Sequence, residues 1–221
     1  LPSLDESHTG EESHVVEDNA RKGLRLARVR NPLATAIATL RCLRDHPQHR
    51  AIDILLKSPK DDVAEAEAWS IVVPDLVSLF SMSGNHDRAD QVYLELAAIV
   101  ERADATPEIR LERAKAGVNL VGRFGQTRDA ARLDRADEVY RELVTIAEHA
   151  DATPEIRLER AKAGVNLIGH FGETQDAARL DRADVVYREL VTIGEHADAT
   201  PEIRLARAKA ALNLIGCFRP T

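Results

Sequence analysis

The sequence predicts an all-α protein whose antiparallel helix pairs stack into a right-handed α-solenoid. The main observation is an internal repeat: residues 103–149 recur at 150–196 with six differences in 47 positions, and a third copy starts at Ala197. Within each copy, apolar residues recur at spacings of three and four, which indicates helices with one buried face. No strand pattern of comparable quality occurs. Because a two-helix unit cannot bury its apolar face alone, the copies are expected to stack.

The first helix of each unit is predicted from a clear start signal. Thr106 is a good N-cap, Pro107 suits the first helical turn, and Glu108 complements the positive end of the helix dipole. The predicted buried stripe is Ala114, Gly117, Val121 and Phe124. Gly125 is then expected to end the helix. Since Gly costs about 1 kcal/mol relative to Ala inside a helix, Gly117 and Gly164 indicate close contact with another helix.

The second helix of a unit follows a polar turn at residues 126–130. Its predicted buried stripe is Leu133, Ala136, Tyr140, Leu143 and Ala147, and the helix is expected to end near His149. A shorter unit lies upstream. There, one helix is predicted over 63–82 with a kink at Pro74, and a second helix over 88–102.

The repeat divides the chain of 221 residues into six parts. We predict a flexible acidic tail at 1–20 and an irregular N-terminal helical cap at 21–62, with helices at 32–44 and 48–56. The first repeat follows at 63–102, the second at 103–149 and the third at 150–196. A C-terminal half repeat occupies 197–221.

The composition argues against several classes of function. With 37 acidic and 30 basic residues the formal charge is −7, so no nucleic-acid partner bound through phosphate contacts is expected. No apolar run approaches the roughly 20 residues of a membrane helix, so no membrane partner is expected either. The two cysteines, Cys42 and Cys217, cannot form a disulfide framework or a four-ligand zinc site. We expect a cytoplasmic protein, with a removed signal peptide as an open alternative.

Motifs for catalysis and for cofactors are missing from the sequence. Phosphate loops, dinucleotide fingerprints and nucleophile elbows are absent. No residue of the sequence is identified as a base that could activate the Cys217 thiol. The spacing of His46 and His49 permits a metal site, but a solvent-exposed turn is the favoured interpretation. Asp-Arg-Ala-Asp runs at 134–137 and 181–184 are expected to be solvated helix starts with paired charges. We predict no enzyme activity, no cofactor and no metal, with a site in residues 20–75 as the minor alternative.

The shorter unit resembles the tetratricopeptide repeat, a helical pair with a characteristic Leu, aromatic, Gly, Ala and aromatic pattern. These roles fall on Leu76, Phe80, Gly84, Ala89 and Tyr93 at the family's spacing. The later units match at the Leu, the Ala and both aromatics, but their inter-helix loop is longer. Their period is 47 residues, against about 34 in that family. HEAT-like repeats, which run about 40–47 residues, stay the alternative.

The resemblance implies that the first helices line a groove for a peptide or protein segment. Lys115 and Asn119 lie four apart on one helix face, and the pair recurs 47 and 94 residues later. The groove residues implied are Lys115, Asn119, Arg123, Lys162, Asn166, His170, Lys209 and Asn213. Lys supplies a point charge and Asn a donor–acceptor amide, which suits a peptide backbone or a carboxylate. The alternative is a solvated helix face that duplication has copied.

The predicted function is therefore a non-catalytic protein-interaction scaffold with a protein or peptide partner. A second hypothesis is a self-association or regulatory module of a larger signalling or enzymatic protein. The last helix supports it, because this helix is unusually apolar for a terminal cap. Leu212 and Ile215 are the residues expected to form a homo-oligomer contact.

Overall fold

The structure, a computed structural model, describes residues 63–218. The predicted tail at 1–20, the cap at 21–62 with His46 and His49, and the last three residues lie outside the described residues. In chain order the helices of 63–218 are α1 (Val63–Ser70), α2 (Val73–Met82), α3 (His86–Val100), α4 (Pro107–Gln126), α5 (Ala130–Ala147), α6 (Pro154–Thr174), α7 (Ala177–Glu195) and α8 (Pro201–Cys217). No strand occurs in this range, which confirms the all-α prediction.

Side-chain caps set the beginnings of several helices. The Thr106 hydroxyl accepts a hydrogen bond from the Ile109 amide at 3.4 Å, and Pro107 occupies the first turn, as predicted. Asp129 caps α5 by accepting from the Arg132 amide at 3.0 Å. Helix α5 therefore begins at the end of the polar turn that the sequence indicated.

Pro74 interrupts the helix predicted over 63–82 and does not merely kink it. The helix breaks into α1 and α2, and Pro74 stands in the first turn of α2. Proline lacks an amide hydrogen and clashes with the preceding turn, so it is tolerated only where a helix begins. The following helix, α3, starts at His86, directly after Gly84 with its φ of 79° and Asn85.

Gly125 does not end α4, which corrects the sequence prediction. The helix continues through Gly125 to Gln126, and the chain turns at Arg128 with a φ of 56°. The glycine instead leaves room for a side chain of the neighbouring helix. A Cβ on Gly125 would lie 1.9 Å from Cδ2 of His170 on α6.

We call α2, α4, α6 and α8 the first helices and α3, α5 and α7 the second helices. Each first helix packs against the first helix of the next unit, so these four form one continuous layer. Each second helix packs against the first helix of its own unit and against the next first helix. The close contacts predicted at two glycines are confirmed. A Cβ on Gly117 would lie 2.9 Å from Leu143, and one on Gly164 would lie 3.0 Å from Leu190.

Among the described helices, none has both the length and the apolar character that a membrane crossing requires.

Candidate functional site

We call the face of α4, α6 and α8 that carries Lys115, Lys162 and Lys209 the open face of the first helices. Two of these three lysines lie beside a glutamate. Lys115 Nζ is 2.8 Å from Glu112 Oε1 on α4, and Lys162 Nζ is 2.7 Å from Glu159 Oε1 on α6. Both lysines are close to half exposed, so these ion pairs contribute little to stability and leave the ammonium groups accessible. Lys209 on α8 is exposed and has Ala206 at the position of the glutamate.

The predicted asparagines turn towards the preceding unit. Asn119 Nδ2 donates to the Pro74 carbonyl of α2 at 2.9 Å, and Asn213 Nδ2 donates to the Val165 carbonyl of α6 at 3.1 Å. Asn166 packs on α4, with Nδ2 3.2 Å from the position of a Cβ on Gly122. The amide at this position therefore joins neighbouring first helices. Within residues 63–218 this amide makes no hydrogen bond to the lysine on the same helix.

The third predicted position, occupied by Arg123, His170 or Cys217, behaves differently in each copy. Arg123 donates to Gln126 of its own helix at 3.3 Å. His170 and Cys217 instead lie against glycines of the preceding first helix. Burial lowers the pKa of His170, so its ring is held neutral at neutral pH. In α6 and α8 this position therefore lies between units, whereas in α4 Arg123 contacts only its own helix.

Cys217 is poorly suited to act as a nucleophile. Its Sγ lies 3.1 Å from the Asn213 carbonyl, towards which the thiol donates. Burial raises the pKa of the Cys217 thiol, which lowers the fraction of reactive thiolate. Within residues 63–218, no group of three or more His, Cys, Asp or Glu side chains could hold a metal ion.

A row of aliphatic side chains on the same open face was not predicted from the sequence. On α4, Leu111 and Val118 are partly buried and flank Lys115 at spacings of four and three. The same Leu-Lys-aliphatic pattern recurs on α6 at Leu158, Lys162 and Val165, and on α8 at Leu205, Lys209 and Leu212. The recurrence of these aliphatic residues every 47 positions was the available signal. It was overlooked because each residue was assigned either to the core or to the surface, and half-exposed side chains fit neither class.

A charged network that joins the second helices α3 and α5 to the first helix α4 was also not predicted from the sequence. Glu142 of α5 accepts hydrogen bonds from Tyr93 Oη of α3 at 2.9 Å and from Arg113 of α4 at 2.8 Å. Arg135 donates to Glu142 at 3.0 Å and also pairs with Asp90 of α3. The Arg113 side chain is only 6% exposed, so Glu142 balances a buried cation. Burial raises the pKa of Tyr93, which keeps the phenol protonated as a donor.

The arginine–carboxylate contacts of this network recur one unit later. Arg160 lies 3.6 Å from Glu189, and Arg182 pairs with Asp137 at 2.9 Å and with Glu189 at 3.2 Å. Asp137 is buried, which corrects the expectation that both Asp-Arg-Ala-Asp runs are solvated. Its charge is paired, as expected, but in addition to Arg141 of its own helix it has a second partner, Arg182, in the next unit.

The C-terminal helix carries the predicted self-association residues on its outward side. Leu212 is 69% exposed and Ile215 is 59% exposed. The α6 equivalent of Ile215 is fully buried Ile168, because α8 packs on that side of α6, whereas the α6 equivalent of Leu212 is half-buried Val165 of the aliphatic row. The exposure of Leu212 and Ile215 follows from their place at the outer edge of the first-helix layer in the described part.

Comparisons with known proteins return no match to a family model, to a curated protein or to a solved structure. The interpretation of the open face therefore depends on its own residues and on their contacts.

Proposed function

We propose that the chain is a non-catalytic protein-interaction scaffold that binds a peptide or protein segment along the first helices. In this proposal the helix pairs form a right-handed, tetratricopeptide-like α-solenoid with the open face as its groove. The observation that carries the proposal is the Leu-Lys-aliphatic row, which recurs on α4, α6 and α8. Aliphatic side chains beside ammonium groups suit an extended segment that alternates apolar and acidic residues.

The unequal spacing of the two helix layers supports a concave open face. First helices approach closely, because Gly122 and Gly125 of α4 receive the side chains of Asn166 and His170 from α6. Second helices are joined through long side chains, such as Arg182 to Asp137. When the helices of one layer lie closer together than those of the other, the stack curves so that the closer layer is on the concave side.

The site residues divide into two roles in this proposal. The ammonium groups of Lys115, Lys162 and Lys209 contact the ligand. The amides of Asn119 and Asn213 hold the first helices in register. Lys209 has Ala206 at the position where the other two lysines have a glutamate, and we therefore place a ligand carboxylate at this end of the row.

Selection from a random-peptide phage library tests the proposal. We expect the chain to enrich peptides with alternating aliphatic and acidic residues. Changing Lys115, Lys162 and Lys209 to Ala is expected to weaken binding of an enriched peptide by at least about tenfold, measured by fluorescence anisotropy. Three charge-assisted contacts are lost, while the fold is kept because all three side chains are substantially exposed.

The matched control removes three other exposed cations, Arg128, Arg141 and Arg188, which lie on or near the second helices. This variant has the same net charge as the lysine variant, so a general electrostatic effect would weaken both equally. Equal affinity of the lysine variant and the wild-type chain would contradict the groove proposal.

Self-association through α8 is the second candidate function, favoured by the outward exposure of Leu212 and Ile215. We expect multi-angle light scattering to detect a dimer at high protein concentration, because exposed aliphatic groups gain from mutual burial. The Leu212→Glu/Ile215→Glu variant should be monomeric. The control Met82→Glu/Leu94→Glu changes two exposed apolar residues elsewhere and should still dimerise. A wild-type chain that stays monomeric at every concentration would exclude this candidate.

A further inference from the structure

A cleft of about 620 Å³ opens at the C-terminal edge of the described part, between the end of α7 and the outward side of α8. Tyr187 and Gly194 of α7 and Arg207 and Ala211 of α8 belong to its wall. The positions equivalent to Tyr187 and Ala211 one unit earlier are Tyr140 and Gly164. Helix α7 covers those two residues. The cleft is therefore the place that a second helix occupies in the preceding unit.

The covering helix supplies a leucine in each earlier unit. Leu143 of α5 packs on Gly117, and Leu190 of α7 packs on Gly164. The equivalent of these glycines on α8 is Ala211, which is partly exposed. A leucine docked there meets one additional methyl group and can rotate about its side-chain bonds to accommodate it.

The covering helix also supplies a glutamate. Glu142 accepts from Tyr93 and Arg113, and Glu189 lies beside Arg160. At the edge, the equivalent donors are Tyr187 and Arg207, and both line the cleft. Tyr187 is half-buried, whereas its equivalents Tyr93 and Tyr140 are fully buried.

The third group supplied by the covering helix is an arginine. Arg135 pairs with Asp90, and Arg182 pairs with Asp137. The equivalent carboxylate at the edge belongs to Asp184, whose side chain is 44% exposed against 9% for Asp137. Asp184 contacts Arg188 of its own helix, as Asp137 contacts Arg141 while also binding the next unit.

From these three contacts we infer that the edge is a docking site for one amphipathic helix of a partner protein, in which an Arg is followed seven residues later by Glu-Leu. The Arg pairs with Asp184, the Glu with Tyr187 and Arg207, and the Leu covers Ala211. The chain contains this pattern three times, at 88–96, 135–143 and 182–190, on α3, α5 and α7. Those three helices are already packed in their own units, and residues 1–62 contain no Glu-Leu pair, so none of these segments supplies the docked helix.

A labelled synthetic peptide with the sequence of residues 127–149 is the probe. It carries the required pattern and the Asp129 cap. Titrated with the full chain, it should show saturable binding by fluorescence anisotropy. Asp184→Arg in the chain should weaken binding at least about tenfold, because two cations then face each other. The peptide change Arg135→Asp should restore binding to the Asp184→Arg chain, and only to that chain.

Matched controls separate docking from general charge effects. Glu173→Arg reverses an exposed charge at the end of α6, outside the cleft, and should leave peptide binding unchanged. The Lys115→Ala/Lys162→Ala variant should also bind normally, since this site is independent of the proposed groove. A scrambled peptide should not bind.

Several results would overturn the inference. These are no binding of the 127–149 peptide, equal binding of the scrambled peptide, or no effect of Asp184→Arg. A chain dimer that Asp184→Arg disrupts, combined with absence of peptide binding, would assign the edge to a second copy instead. Circular dichroism of each variant verifies that the helices are intact.

Discussion

Glu142→Gln is expected to lower the free energy of unfolding by about 3 kcal/mol. The carboxylate of Glu142 accepts hydrogen bonds from Tyr93, Arg113 and Arg135, which lie on three different helices. The neutral amide cannot balance the guanidinium of Arg113, whose side chain is 6% exposed. Removing this partner leaves the buried Arg113 charge with only Glu101, which lies 3.3 Å away and has a 78% exposed side chain. A buried charge that is only weakly compensated costs more than the pair itself contributes. Urea unfolding followed by far-UV circular dichroism measures the change.

Glu138→Gln is the matched control on the same helix. Glu138 also pairs with Arg135, at 3.2 Å, but its side chain is 58% exposed. We expect its replacement to change the free energy of unfolding by no more than about 0.5 kcal/mol. If both variants shift the urea midpoint by the same small amount, the network around Glu142 does not stabilise the array.

Gly125→Ala is the second change with a large expected effect, a loss of about 2 kcal/mol in the free energy of unfolding. Helix propensity alone predicts the opposite sign, since Ala gains about 1 kcal/mol over Gly inside a helix. The new methyl group would occupy the position of the His170 ring, whose Cδ2 is 1.9 Å from it. The ring must leave its place between α4 and α6, or the two helices must separate.

A double-mutant cycle with His170→Ala isolates this contact. Removing the ring makes room for the methyl group, so the double variant should recover most of the stability lost by Gly125→Ala, with a coupling energy of about 2 kcal/mol. Gly216→Ala is the control, because a Cβ there meets no atom within 4 Å. It should be neutral or slightly stabilising. A Gly125→Ala variant that matches Gly216→Ala would mean that the ring moves aside without cost.

Local signals predicted the helices well, because the interactions that begin a helix are close in sequence. The Thr106 cap and the first-turn Pro107 involve contacts within four consecutive residues, so the sequence alone identifies them. Gly125 shows where such reading fails. A glycine near a helix end is typical of a helix C-terminus and also of a close contact with another helix. Only the position of His170 distinguishes these two explanations.

Some side-chain positions at the candidate site could be predicted from the sequence, while their role in binding stays a prediction. Lys115, Lys162 and Lys209 lie on the open face. The partner of Asn119 is a carbonyl 45 residues away, and helical periodicity cannot indicate such a contact. Asp137 was missed for the same reason, since its partner Arg182 lies in the next unit. Contacts between units depend on how helices dock, and side-chain spacing along one helix carries no such information.

The near-identity of neighbouring units means that the contacts between them are interchangeable. The Arg-to-Asp contact joins α3 to α5 and α5 to α7, and the Asn-to-carbonyl contact occurs between α2 and α4 and between α6 and α8. Neighbouring units therefore present similar surfaces to each other. Unequal recombination that inserts or removes 47 residues would keep these contacts, and array length can change in one step. The same property favours mispairing during folding, because a unit can dock on a wrong but equivalent neighbour. His170 and Cys217, which differ where most of the sequence does not, are among the few residues that distinguish one junction from the next.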